Sequence, residues 1–156
     1  MRATQISVIG SGGEWEAQAE EVGRLLAERG CTVVTGGGAE VMEAAARGAK
    51  QAGGQTVGIL PGESPAEANE WIEISVATGI GHARNLAVAA SGDAVIAVGG
   101  SWGTLSEIAF ARRLGRPVVA LKSGVAVEGK GILRATSPEE AVELALSALE
   151  ERRAEA

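Results

Sequence analysis

Short apolar runs alternate with longer amphipathic stretches along the whole chain, and glycine clusters stand at the joints. Runs of four to eight apolar residues bounded by turn signals read as buried strands. On that rule residues 6–9, 32–35, 55–60, 71–76, 94–98, 117–121 and 132–135 are predicted strands, the fourth with weak alternation. Residues 14–29, 39–52, 80–90 and 105–114 are predicted helices. A last helix starts at Thr136-Ser137-Pro138-Glu139-Glu140 and runs to about Arg153. Its hydroxyl cap, first-turn proline and early acids are helix-start signals. Residues 63–70 and 123–130 read as loops, the second as a loop or hairpin. Strands apolar on both faces, alternating with helices, predict a parallel sheet covered on both sides. The expected fold is α/β: a three-layer Rossmann-like fold, mainly parallel and twisted, in one domain spanning residues 1–156.

Ligands of such sheets gather at the carboxyl ends of the strands, where strand order reverses. Three glycine loops are expected there: Gly10 to Gly13, Gly36 to Gly38, and Gly99 to Gly103. The most informative is the last, in DAVIAVGGSWGTLSE (residues 93–107). A strand feeding a small-residue turn into a helix start aims unpaired N–H groups and the positive dipole end at one point. That arrangement holds a phosphate or carboxylate, although a glycine turn also serves packing alone. Glu107, one helical turn on, brings a carboxylate beside such a ligand.

Composition narrows the chemistry. With 46% hydrophobic and 22% charged residues, 156 residues suffice for a sizeable core. A net charge of −6 and only 3% aromatics argue against nucleic acid or an anionic membrane as general partners. One cysteine, Cys31, excludes an internal disulfide, fits a reducing cytoplasm and reads as a small core residue. No leader or membrane-length apolar run is seen, so the expected location is cytoplasmic. The dinucleotide fingerprint fails, because Trp15 stands where a third glycine is needed and no acid follows Thr35. No Gly-Lys-Ser/Thr occurs, no lysine context suggests a Schiff base, and no metal-ligand spacing is present. No cofactor and no metal are expected.

Residues 99–107, GGSWGTLSE, resemble the P-G-G-x-G-T-x-x-E motif of the LOG ("lonely guy") family and its relatives. These include short bacterial proteins related to the molybdenum-cofactor carrier, some labelled lysine decarboxylases. Two further blocks carry the likeness: TGGGAEVME (residues 35–43) with GGQTVGILP (residues 53–61), and GHARN (residues 81–85). Together they cover residues 6–121. The sequence departs at Gly99, where the motif has proline, at Ser101, where it has glycine, and at Glu40, in a stretch usually made of small residues. Glu40 is expected to cap the following helix.

The resemblance implies a homodimer or higher homo-oligomer that binds a nucleoside monophosphate or phosphorylated cofactor. It implies hydrolysis of the bond between base and ribose 5′-monophosphate, with Arg84 and Glu107 as the catalytic pair. The alternative it leaves open is a non-catalytic carrier or sensor of a phosphorylated cofactor such as molybdopterin. Phosphate and ligand contacts are expected from Gly10, Ser11, Gly36, Gly37, Gly38, Gly99, Gly100, Ser101, Trp102, Gly103 and Thr104. Trp102 offers either base stacking or packing at an interface. His82 and Asn85 are read first as helix-start residues, and Met42 as core.

Overall fold

A computed structural model describes residues 1–122, 129 and 131–156. Seven strands form one sheet: β1 (Gln5–Ser11), β2 (Thr32–Thr35), β3 (Thr56–Leu60), β4 (Ile74–Ala77), β5 (Ala94–Gly99), β6 (Val118–Leu121) and β7 (Ile132–Ala135). Their order is β4-β3-β2-β1-β5-β6-β7, and every neighbouring pair is parallel. Successive strands step outward in one direction from β1 and in the other from β5. The strand order therefore reverses between β1 and β5, where the carboxyl ends splay and leave a crevice.

Five helices cover the faces: α1 (Glu16–Glu28), α2 (Val41–Gln51), α3 (Arg84–Ser91), α4 (Trp102–Arg113) and α5 (Pro138–Glu155). Side chains alternate across each strand. Ile6, Val8, Val33, Ile96 and Val98 pack under α1, α2 and α5. Ile9, Val34, Ile59, Val95 and Ala97 pack under α3 and α4. Cys31 is buried in the first of these cores, and burial pushes its thiol up from the ordinary value. The α1–α2 crossing depends on missing side chains. A Cβ on Gly23 would collide with the Ala45 carbonyl, and one on Gly48 with the Glu20 carbonyl.

Elements lie where the pattern placed them, with shifted ends. The loop or hairpin expected over 123–130 lies outside the described residues, apart from Gly129. Strand β4 starts at Ile74 rather than Trp71, whose carbonyl is taken by the Thr56 hydroxyl at 2.6 Å and whose N–H goes to Asn69. The third helix is regular only from Arg84, since Gly81 has φ 62 and begins a 3-10 turn. A further 3-10 turn, Gly13–Trp15, precedes α1. Helix α4 starts at Trp102, three residues early. At α5, the Ser137 hydroxyl accepts the Glu140 N–H at 3.1 Å, with Pro138 in the first turn.

Gly48→Ala should destabilise the protein by roughly 1–3 kcal/mol despite alanine's better helix propensity, because backbone must move to admit the methyl group. Gly13→Ala, which meets nothing within 4 Å, should change stability by less than about 0.5 kcal/mol. Urea denaturation of both variants checks the pair.

Candidate functional site

The crevice at the strand-order reversal is an open cleft of about 150 Å³, smaller than the ~300–1,000 Å³ of typical small-molecule sites. Strand β1 contributes Val8, Ile9, Gly10 and Ser11 to it. Gly36 follows β2, and Met42 comes from α2. The approach to α3 brings His82, Arg84 and Asn85, and the start of α4 brings Ser101, Gly103, Thr104 and Glu107.

Arg84 is the best-anchored of these side chains. Its Nη1 donates to the Gly36 carbonyl and, at 2.8 Å, to the Ile59 carbonyl, so the guanidinium ties the ends of β2 and β3 together. Its Nε donates to Asn85 Oδ1 at 3.0 Å. Asn85 Nδ2 in turn donates to the Ser106 hydroxyl at 3.2 Å, and that hydroxyl donates to the Gly103 carbonyl at 2.6 Å. One polar chain thus links α3 to the first turn of α4. The Arg84 Nη2 carries no protein hydrogen bond among the described residues, and its two N–H groups are available to a ligand. Gly36 must lack a side chain here, because a Cβ would collide with Nη1. Burial pushes the Arg84 pKa down, and Glu107 opposes that.

Glu107 has no ion pair or hydrogen bond among the described residues. Burial pushes its carboxyl up from 4.5 to about 7, with the positive charge of Arg84 opposing the rise. The pair therefore shares one cleft and one electrostatic field without closing a salt bridge. An acid displaced this far toward neutrality beside a half-buried cation, in a cleft, makes Glu107 a candidate functional group. At the start of α4 the Ser101 N–H is held by the Thr104 hydroxyl at 3.3 Å, which fixes the turn before the helix.

The cleft brings together Arg84, Glu107, Gly10, Ser11, Gly36, Ser101, Gly103 and Thr104. It does not include Gly37, Gly38, Gly99, Gly100 or Trp102. The Gly37 amide donates to the Thr35 hydroxyl at 3.0 Å, and the Gly37 and Gly38 carbonyls accept from the Asn69 side chain. That segment ties down the loop before β4. Gly99 abuts the Trp15 ring, and Gly100 abuts the Thr104 side chain. Trp102 is 85% exposed on the first turn of α4, outside the cleft rather than within its loop. Glu40 stands at the cap position of α2 but does not cap it; its carboxylate reaches across to accept the Gly12 N–H at 2.8 Å. Sequence reasoning missed Ser106, for which the three-residue step from Gly103 was the available signal. It also missed the bridging role of Asn85, which only the approach of α3 to α4 creates.

The model of the SLOG cluster4 family matches residues 3–150. An uncharacterized protein of Archaeoglobus fulgidus is 45% identical over 94% of this chain and 97% of its own. A probable cytokinin riboside 5′-monophosphate phosphoribohydrolase of Oryza sativa subsp. japonica is 35% identical over 64% of this chain and 42% of its own. Among solved structures, the molybdenum cofactor binding protein of Rippkaea orientalis superposes with a TM-score of 0.89 at 36% identity, covering 96% of this chain and 99% of that one. The molybdenum cofactor carrier protein of Chlamydomonas reinhardtii gives 0.83 at 31% identity, covering 96% and 99%.

The raised Glu107 pKa fixes a sign. The folded state favours the protonated acid, so this group's contribution to stability is complete below 4.5 and is lost as pH rises through about 7. Glu107→Gln should therefore gain on the wild type in thermal melts above pH 7 and lose that advantage near pH 4.5. A carboxyl NMR titration should place Glu107 near 7 and move it higher still in Arg84→Ala.

Proposed function

The chain belongs to the SLOG cluster4 family, and from that we propose that it binds a nucleoside 5′-monophosphate by its phosphate and hydrolyses the N-glycosidic bond. The observation that carries this reading is the placement of Arg84 and a half-titrated Glu107 beside the start of α4. Helix α4 presents N–H groups and the positive end of its dipole to the cleft, which suits a phosphate at residues 101–104. The Thr104 hydroxyl adds a donor or acceptor there. Arg84, already held by Nε and Nη1, offers Nη2 to the phosphate or to a ribose hydroxyl at little cost in ordering.

Cleavage breaks the bond between C1′ and the base nitrogen, leaving positive charge on the sugar. Ionised Glu107 stabilises that charge and takes a proton from the water that attacks C1′. The departing base gains a proton, and the products are free base and ribose 5-phosphate. A carboxyl titrating near 7 is suited to this work, because it is ionised often enough to act and basic enough to accept a proton. The likeness to the rice phosphoribohydrolase supports this reading, and the chain spans less than half of that relative's length. Homodimer or higher assembly and a cytoplasmic setting belong to the same proposal.

A second reading has its own support. The cofactor-binding and carrier structures match this chain from end to end, at 36% and 31% identity. In that reading the same cleft holds a phosphorylated cofactor, and Glu107 selects the ligand without turnover.

Purified protein incubated with AMP separates the two. The first reading expects free adenine and ribose 5-phosphate, with the rate rising as pH passes through about 7. Glu107→Gln and Arg84→Ala should each lower the rate by roughly 10²–10⁴-fold. AMP bound but intact selects the carrier reading. AMP neither bound nor cleaved removes the nucleotide reading.

A further inference from the structure

Hydrolysis of an N-glycosidic bond moves two protons, one off the attacking water and one onto the departing base. Glu107 in its ionised form serves the first and has no proton to give for the second. Among the other residues lining the cleft, Arg84 keeps its proton, and Ser11, Ser101 and Thr104 offer only weakly acidic hydroxyls. His82 is the remaining titratable side chain on the cleft, and the sequence holds no other histidine. It stands exposed in the 3-10 turn Gly81–Ala83, whereas Glu107 lies farther in, where burial shifts its carboxyl. The segment that carries His82 is tied to the end of β3. The Thr78, Gly79 and Gly81 N–H groups donate to the Leu60, Gly62 and Pro61 carbonyls at 3.2, 2.8 and 2.9 Å. The helix-start role expected for this histidine is not exercised, since neither the turn nor α3 takes a side-chain cap. Its imidazole makes no hydrogen bond or ion pair among the described residues, so both ring nitrogens are open to a ligand.

We infer that His82 is the general acid of the cleft: its imidazolium protonates the departing base as the bond to C1′ breaks. This rests on the hydrolase reading above and adds the proton donor that reading lacks. With the phosphate at the start of α4 and the ribose between Arg84 and Glu107, the base points to the exposed rim where His82 stands. The electron pair of the C1′–N bond goes to the base nitrogen, which takes the imidazolium proton. The water that attacks C1′ gives its proton to Glu107. The protein is left with a neutral imidazole and a protonated carboxyl, and one proton passed from Glu107 to His82 through solvent restores both. Two titratable groups in one cleft thus hold opposite roles, set by where each sits.

The test compares the wild type, His82→Gln and Glu107→Gln on two substrates: AMP, and 4-nitrophenyl β-D-ribofuranoside 5-phosphate, whose nitrophenolate leaves without a proton. His82→Gln should lower kcat for AMP by roughly 10²-fold or more, yet change kcat for the nitrophenyl compound by less than about threefold. Glu107→Gln should slow both, because both need the attacking water. A purely structural role for His82 would slow the two substrates alike. In the slow Glu107→Gln protein, saturating AMP should move the ring NMR signals of the one histidine. Equal losses on the two substrates in His82→Gln, a loss on AMP below about threefold, or histidine signals that AMP leaves in place overturn the inference. The two failures are distinguishable. A wild type that cleaves neither compound removes the hydrolase reading and this inference with it. A wild type that cleaves both, matched on both by His82→Gln, leaves the hydrolase reading standing and removes His82 alone.

Discussion

One guanidinium organises the mouth of this sheet. Arg84 donates from Nη1 to the carbonyls of Gly36 and Ile59 and from Nε to Asn85, taking up backbone oxygens at the ends of two parallel strands. Burying a charged group is costly unless it is hydrogen-bonded, and these bonds meet that condition. The positive charge that remains has Glu107 as its facing group. Burial pushes that carboxyl up to about 7, and the positive charge of Arg84 opposes the rise. Local choices follow from this. Gly36 is bare to admit the guanidinium, and Asn85 spans from Arg84 to Ser106 so that α3 and α4 hold a fixed relation.

The residues lining the crevice differ in character from side to side. At the start of α4 the helix presents its positive end, the Arg84–Glu107 side pairs a cation with a carboxyl pushed up to about 7, and the end of β1 lines the cleft with backbone and small side chains at Gly10 and Ser11. In the proposed reading an anion sits at the start of α4, and the sugar attached to it passes between a cation and an acid. Phosphoribohydrolase and carrier chemistry both need the seat. They part over whether Glu107 acts on a bond or only on affinity.

Much of this was legible in the sequence. Apolar runs located the seven strands, because a strand buried on both faces carries little besides β-branched and small residues. The helix start at Ser137-Pro138 was readable from its cap. Where ends slipped, non-local contacts decided. Trp71 is drawn out of β4 by the Thr56 hydroxyl, and α4 gains a turn because Thr104 can hold the Ser101 N–H. The pairing of Arg84 with Glu107 came from motif resemblance, and folding puts both on one cleft although 23 positions separate them in the chain. The glycines were harder to read. Glycine serves both a ligand and a close approach, so Gly37, Gly38, Gly99 and Gly100 looked alike in sequence to Gly36 and Gly103. Only the fold shows Asn69, Trp15 and Thr104 against the first four. Glu40 sat at a helix start and so looked like a cap, but its direction depends on where the β1 turn comes to rest.

A crystal structure of the protein soaked with AMP tests the central claim most directly. The account expects the phosphate at the start of α4, against the amides of Trp102 and Gly103 that the Ser101–Thr104 capping box leaves open, with the ribose between Arg84 Nη2 and the Glu107 carboxyl. A phosphate seated at the Gly12 turn, or a ribose in contact with neither Arg84 nor Glu107, would contradict it.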